Sequence, residues 1–141
     1  MTGYAGDLTA AQAWELLATD ERALLVDVRT EAEWRFVGVP DVAELGRPAA
    51  FIEWTSYPTG AVNADFLAEL AAAGLAPGDA RPVVFLCRSG VRSVAAARTA
   101  TAAGLGPAYN VLEGFEGPPD GTGHRGAAGG WRAAGLPWRQ T

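Results

Sequence analysis

Apolar residues fall into short continuous runs, separated by stretches with helical spacing. Leu24-Leu25-Val26-Asp27-Val28 follows charged residues and predicts a buried strand. Pro82-Val83-Val84-Phe85-Leu86 predicts a second, and Ala108 to Leu112 a last one. Ala49 to Thr55 predicts another, with Phe51, Ile52 and Trp54 as its bulk, ended by Ser56 to Gly60. Thr9-Ala10-Ala11-Gln12 has the spacing of a capping box, so a helix is expected from about Ala10 to Ala18, with Trp14 and Leu17 on one face. Glu31 to Phe36 predicts one or two helical turns. Asn63 is expected to cap a helix reaching about Ala73, with Phe66, Leu67 and Leu70 inward and Gly74 in the C-terminal glycine position. The Ala-rich stretch Val94 to Ala103 predicts a helix ending near Gly104. Trp131 to Ala134 predicts a short helix, and Leu136-Pro137-Trp138 a docked tail. Strands that are continuously apolar and alternate with helices predict an α/β chain with a parallel sheet covered on both faces.

Between these elements, Gly38 to Pro48 reads as a loop and Pro77-Gly78-Asp79 as a turn. Gly114 to Gly130 holds seven glycines and two prolines without periodicity, and reads as an exposed excursion of the kind that shapes a site. No repeat or long linker interrupts the chain, so residues 1–141 are expected to form one domain. No apolar run approaches the roughly 18 to 20 residues that span a bilayer, and the first residues do not read as a secretory signal. One cysteine cannot form an internal disulfide, which fits a reducing compartment and a cytoplasmic location. The net charge is −5, carried against eleven arginines and no lysine. An acidic chain without a basic cluster is a poor nucleic-acid binder.

That single cysteine stands in Cys87-Arg88-Ser89-Gly90-Val91-Arg92-Ser93, between a predicted strand and a predicted helix. Ligands of an open α/β sheet bind at the carboxyl ends of its strands. The residues that open a helix have backbone N–H groups without intrahelical partners, and curled into a cradle they bind an anion. Gly90 supplies the dihedrals of a tight curl. The same surroundings favour a thiolate, and Arg88 and Arg92 add positive charge to hold an anionic substrate. A core cysteine has little use for a glycine, two arginines and two serines behind it. Two chemistries fit: hydrolysis of a phosphate ester, and transfer of a sulfur held as a persulfide. Four residues separate Cys87 from Arg92. Cysteine phosphatases place one more there, which widens the ring of N–H groups for a tetrahedral phosphate. The shorter ring suits one terminal sulfur.

The loop resembles the active-site loop of the rhodanese family of sulfurtransferases, together with the serine that follows it. Leu25-Val26-Asp27-Val28-Arg29, then Glu33-Trp34 and Gly38, is similar to the family's first signature. Val111-Leu112-Glu113-Gly114 and Gly130-Trp131, closing on Gly135-Leu136-Pro137, resembles its last. The resemblance runs from about residue 8 to 138. It implies a three-layer rhodanese-like fold in which helices flank a five-stranded parallel sheet. It implies a ping-pong reaction in which Cys87 takes the outer sulfur of a small anionic donor such as thiosulfate. Arg88, Ser89, Gly90, Val91, Arg92 and Ser93 would form the anion-binding loop, with no cofactor and no metal. The chain departs from the family in two places. Gly38-Val39-Pro40-Asp41-Val42 stands where a Gly-His-Ile-Pro-Gly-Ala type segment is usual. About fifteen residues separate Glu113-Gly114 from Gly130-Trp131, where the family passes quickly.

Asp27 and Arg29 end a strand on the same sheet edge as Cys87. They read as an internal clamp, Asp27 accepting loop N–H bonds and Arg29 pairing with Glu33, because charges near a core are usually paired. His124 reads as an exposed loop residue rather than a general base. Gly121 to Gly126 matches G-x-G-x-x-G but follows no strand and opens no helix, so no dinucleotide site is expected. Trp34 and Trp131 are expected to pack the core or its edge, with a place in a pocket wall left open. Without a second thiol in the chain, a persulfide must empty to an external thiol, cyanide or protein acceptor, with no nucleic acid or membrane involved. The alternative is a sulfur-carrier or regulatory module that docks a partner through the same loop and turns over little small molecule.

Overall fold

A computed structural model describes residues 3–56 and 59–140. Strands β1 (Gly6–Leu8), β2 (Leu24–Asp27), β4 (Ala50–Phe51), β5 (Val83–Leu86) and β6 (Ala108–Val111) form one parallel sheet in the order β1-β6-β5-β2-β4. Helices α1 (Ala10–Thr19), α2 (Glu31–Phe36), α3 (Phe66–Ala72), α4 (Val91–Ala102) and α5 (Gly130–Ala133) connect and cover it. A second, antiparallel pair joins β3 (Val39–Pro40) to β7 (Trp138–Arg139). The expected three-layer α/β architecture with five parallel strands is the one observed.

The continuous apolarity of β2 and β5 has a direct cause. Successive side chains of a strand point to opposite faces. Leu24, Val26, Val83 and Phe85 enter the half of the core packed by Phe66 and Leu70 of α3 and Ala96 and Ala100 of α4. Leu25, Val84 and Leu86 enter the other half, with Ala13 and Leu17 of α1 and Trp131 of α5. Every residue of both strands is buried. Trp131 is fully buried, meets Trp14 edge-on at 5.9 Å between ring centroids, and donates its Nε1–H to the Pro137 carbonyl at 2.8 Å.

The capping box expected at Thr9–Gln12 closes on α1, and the structure shows a second, Thr30 with Glu33, on α2. Several elements differ from expectation. Strand β1 was not expected, since Gly6-Asp7-Leu8 offers no apolar run. The strand expected over Ala49–Thr55 is regular only at Ala50–Phe51. Beyond it Ile52 and Trp54 still donate to Asp27 and Val28 carbonyls, and Thr55 turns away to bridge Val62. Helix α3 begins three residues after Asn63. The Asn63 side chain instead accepts from the Asp65 N–H and donates to the Glu53 carbonyl and to Glu69. Part of the break expected at Ser56–Gly60 lies outside the described residues. Gly38–Pro48, expected as a loop, contributes β3. Among the described residues no helix is long and apolar enough to cross a membrane.

Candidate active site

From β2 the chain moves outward to β4, then returns to place β5 on the other side of β2 and continues to β6. The crossovers therefore diverge between β2 and β5, the position where parallel sheets leave a crevice for ligands. Asp27 ends β2 there, and Cys87 directly follows β5.

Cys87 is 1 % exposed. One side of it packs with Val28, Ile52, Phe85 and Ala96. Its sulfur faces polar groups: the Gly90 N–H donates to Sγ at 3.1 Å, and Ser93 Oγ lies 3.2 Å away. Gly90 precedes α4 with φ +106°, a conformation that side-chain-bearing residues rarely adopt. The N–H groups of Ser89, Val91 and Arg92 have no acceptor among the described residues. A turn that opens a helix in this way presents donors to negative charge.

The two loop arginines differ. Arg92 meets Glu33 in a bidentate pair, Nη1–Oε1 2.6 Å and Nη2–Oε2 2.9 Å. Glu33 also accepts from the Thr30 N–H and hydroxyl, at 3.2 Å each. Burial works to raise the Glu33 carboxyl, but the Arg92 guanidinium and the Thr30 N–H outweigh it, and the group titrates below its ordinary value. Donating to the Glu33 carboxylate in turn raises Arg92. This corrects the expected pairing of Glu33 with Arg29, and leaves the charge of Arg92 answered by the protein itself. The Arg88 side chain is exposed and makes no hydrogen bond or ion pair among the described residues. With Glu33, Phe36, Thr55, Ser56 and Arg92 it lines a cleft of about 530 Å³. Arg88, rather than Arg92, is the loop's uncommitted cation.

The depressed carboxyl has a testable consequence. A carboxylate favoured by the fold adds stability above its unfolded-state pKa, about 4.3, and loses that contribution as pH falls through the lower folded value. Glu33→Gln is expected to be less stable than the parent at pH 7, with the difference shrinking below about pH 4.3. Urea midpoints at pH 7 and pH 3 measure it. An equal difference at both pH values would show that the pair adds nothing.

Arg29, fully buried, turns back onto its own strand. Its Nε and Nη2 hold both oxygens of Asp27, at 2.7–3.1 Å, and Nη2 also reaches the Gly38 carbonyl at 2.7 Å. Asp27 accepts the Arg29 N–H at 3.1 Å. The clamp reading therefore holds for Asp27, with Asp27 and Gly38 replacing Glu33 as the partners of Arg29. Gly38 is also seated against β7, where an added Cβ would meet the Arg139 carbonyl at 2.9 Å and the Trp138 ring at 3.0 Å.

Sequence reasoning missed the brace behind the loop. Gly114 to Gly130, expected to be exposed, is buried at its base. Phe115 N–H donates to the Cys87 carbonyl at 2.7 Å, and Glu116 and Gly117 N–H donate to Arg88 at 3.0 and 3.2 Å. Phe115 is fully buried, with the Arg29 guanidinium 4.2 Å from its ring centroid. Gly114 runs so close that a Cβ there would stand 2.6 Å from the Arg88 carbonyl carbon. The signal available was the Val111-Leu112-Glu113-Gly114 segment, legible as a motif but not as a contact. His124 is exposed, with Nδ1 2.9 Å from Thr122 Oγ1, and the Gly121–Gly126 segment around it forms no helix or strand. Trp34 packs edge-on against Phe51, and Trp131 lies in the core; neither lines the Arg88 cleft.

The five-stranded parallel sheet between helices, with the cysteine loop at its switch point, is a rhodanese-like α/β fold. Over residues 5–141 the chain matches the family described as STR4 middle domain, and it belongs to that family. It is 61 % identical to Rv0390 from M. tuberculosis, covering 98 % of this chain and 99 % of that one with a TM-score of 0.89. An uncharacterized protein of Rickettsia conorii is 32 % identical over 134 residues, 94 % of this chain and 96 % of its own length. A polysulfide-sulfur transferase homodimer from Wolinella succinogenes is 25 % identical, over 96 % of this chain and 78 % of that one, with a TM-score of 0.62. A rhodanese-like domain protein from Staphylococcus aureus is 21 % identical, over 77 % and 86 %, with a TM-score of 0.55, a likeness of fold.

Proposed function

We propose that this protein is a cytoplasmic sulfurtransferase carrying a sulfane sulfur on Cys87. The observation that carries the reading is the cradle: the Gly90 N–H on Sγ and the N–H groups of Ser89, Val91 and Arg92 without acceptors among the described residues, and the four-residue spacing from Cys87 to Arg92 favours sulfur over phosphate. The Cys87 thiolate attacks the outer sulfur of a thiosulfate-like donor. A new S–S bond forms, the donor's own S–S bond breaks, and sulfite leaves with that electron pair. The terminal sulfur of the persulfide is held by the loop N–H groups, an oxyanion-hole arrangement applied to sulfur. Cyanide or a thiolate then attacks that sulfur and Cys87 departs as thiolate, so no external oxidant is consumed. Arg88 draws the anionic donor into the cleft, while Arg92 and Glu33 fasten the loop to α2.

Mass spectrometry after thiosulfate treatment tests this. The expected result is a gain of one sulfur, lost on adding cyanide and absent in Cys87→Ser, with no turnover of p-nitrophenyl phosphate. An unmodified Cys87 would overturn it. Phe36, 84 % exposed on the rim of the cleft, and Val91, 77 % exposed in the loop, favour a second reading as a carrier whose acceptor is a protein. That reading expects a stable persulfide with slow release to cyanide.

A further inference from the structure

A line of polar groups runs from the sulfur to the far edge of the sheet. Cys87 Sγ touches Ser93 Oγ at 3.2 Å, and Ser93 Oγ touches Asn110 Oδ1 at 2.5 Å. Asn110 Nδ2 donates to Asp7 Oδ1 at 3.0 Å, and the Tyr4 hydroxyl donates to the same oxygen at 2.8 Å. Ser93 and Asn110 are buried, while Asp7 of β1 is exposed.

Hydrogen counting gives this line a direction. An ionised carboxylate only accepts, so Asp7 requires the NH₂ side of Asn110 to face it. The amide oxygen of Asn110 then faces Ser93 and takes its hydroxyl hydrogen. A hydroxyl has only one hydrogen to give. Ser93 therefore has only lone pairs left for Cys87, and the hydrogen in that contact must come from the sulfur. The other charges around the sulfur are Arg88 in the loop, Arg92 with its partner Glu33, and the Asp27–Arg29 pair at the end of β2. Arg98 of α4 sits over the Tyr4 ring, 5.8 Å from its centroid. The guanidinium groups of Arg29 and Arg92 donate to Asp27, Gly38 and Glu33, not to Ser93 or Asn110.

We propose that Asp7 and Asn110 are positioning residues which, through Ser93, orient hydrogens so that resting Cys87 is held as a thiol. The inference rests on Cys87 being the reactive sulfur of the transfer proposed above. When the thiolate forms, its proton passes to solvent, and the Ser93 hydroxyl must turn from Asn110 to the sulfur. In the persulfide Sγ carries no hydrogen, so Ser93 stays turned until the sulfur is discharged. The line thus reverses once per cycle, and Asp7, at the surface, sets the resistance to that reversal.

Iodoacetamide alkylation of the full chain reads this directly, because Cys87 is its sole cysteine. Asp7→Asn can present either side of its amide, which frees Asn110 to turn and Ser93 to point its hydrogen at the sulfur. The expected result is about tenfold faster alkylation at pH 7, with the midpoint of the pH–rate profile moved down by about one unit. Asn110→Ala, which removes the acceptor of the Ser93 hydrogen, should act in the same direction. In a Ser93→Ala background Asp7→Asn should have no effect, since the coupling passes through that hydroxyl. The proposal is overturned by an Asp7→Asn profile matching the parent, or by acceleration that persists without Ser93. Alkylation needs no sulfur donor. A chain that shows the Asp7 effect yet takes no sulfur from thiosulfate sinks the transfer reading and leaves the hydrogen-bond direction standing.

Discussion

Asp27→Ala is expected to lower the unfolding free energy by about 3–5 kcal/mol, measured by urea denaturation at pH 7. The substitution leaves the Arg29 guanidinium fully buried against Phe115, with the Gly38 carbonyl as its one remaining acceptor among the described residues. A loss of that size is a large part of the roughly 5–15 kcal/mol that holds a domain together. The intact pair is not correspondingly stabilising, since both charges had to leave water. Arg29 Nη1 is buried without an acceptor among the described residues, so even the native arrangement leaves one donor unanswered there. Asp27→Leu combined with Arg29→Met is therefore expected to recover most of the loss, with the Met chain packing on Phe115 in place of the guanidinium. If Asp27→Ala costs under about 1 kcal/mol, water reaches the site and the clamp is not a buried pair in solution.

Gly114→Ala is expected to reduce the rate of persulfide formation by about a hundredfold or more, the scale associated with displacing a reacting group by about 1 Å. The new Cβ meets the backbone of Cys87 and Arg88, which has no flexible end to move aside. Gly114 also has φ +59°, which adds strain for any side chain. The strain falls on the segment whose Phe115 N–H fixes the Cys87 carbonyl, so the loop must shift or that bond must break. Stopped-flow or quenched mass spectrometry with thiosulfate gives the rate. Thermal melting of the same variant separates local displacement from global unfolding. A Gly114→Ala protein that takes sulfur at the parent rate would show that the loop is not braced from behind.

The parts of this molecule legible from sequence are those whose causes are local. Thr9–Gln12 names its helix because a capping box is closed within four residues. Leu24–Asp27 and Val83–Leu86 announce buried strands because both faces are apolar. Strand β1 was not visible, because Gly6-Asp7-Leu8 becomes a strand only by lying beside Tyr109–Val111. The cysteine and its loop were found from residue types and spacing. What each arginine does was not, since Glu33 meets Arg92 rather than Arg29 only because the fold brings α2 to the start of α4. The brace at Gly114–Gly117 was hidden by composition: a glycine-rich stretch without periodicity reads as an exposed excursion, while here the missing side chains let two backbones approach.

The glycine-rich excursion begins and ends in the same place. An added Cβ at Gly117 would meet Gly129, and one at Gly130 would meet the Gly114 carbonyl and the Gly117 N–H. The arc between is therefore a loop pinched shut at its neck, and the fold is complete without the arc's tip. Lengthening an already closed loop is thermodynamically mild, about 0.6 kcal/mol for each doubling. Relatives of this chain are thus free to grow new recognition surface at residues 118–128 without retuning the core. Whatever engages that surface pulls on a neck that is stitched to the carbonyl groups of Cys87 and Arg88.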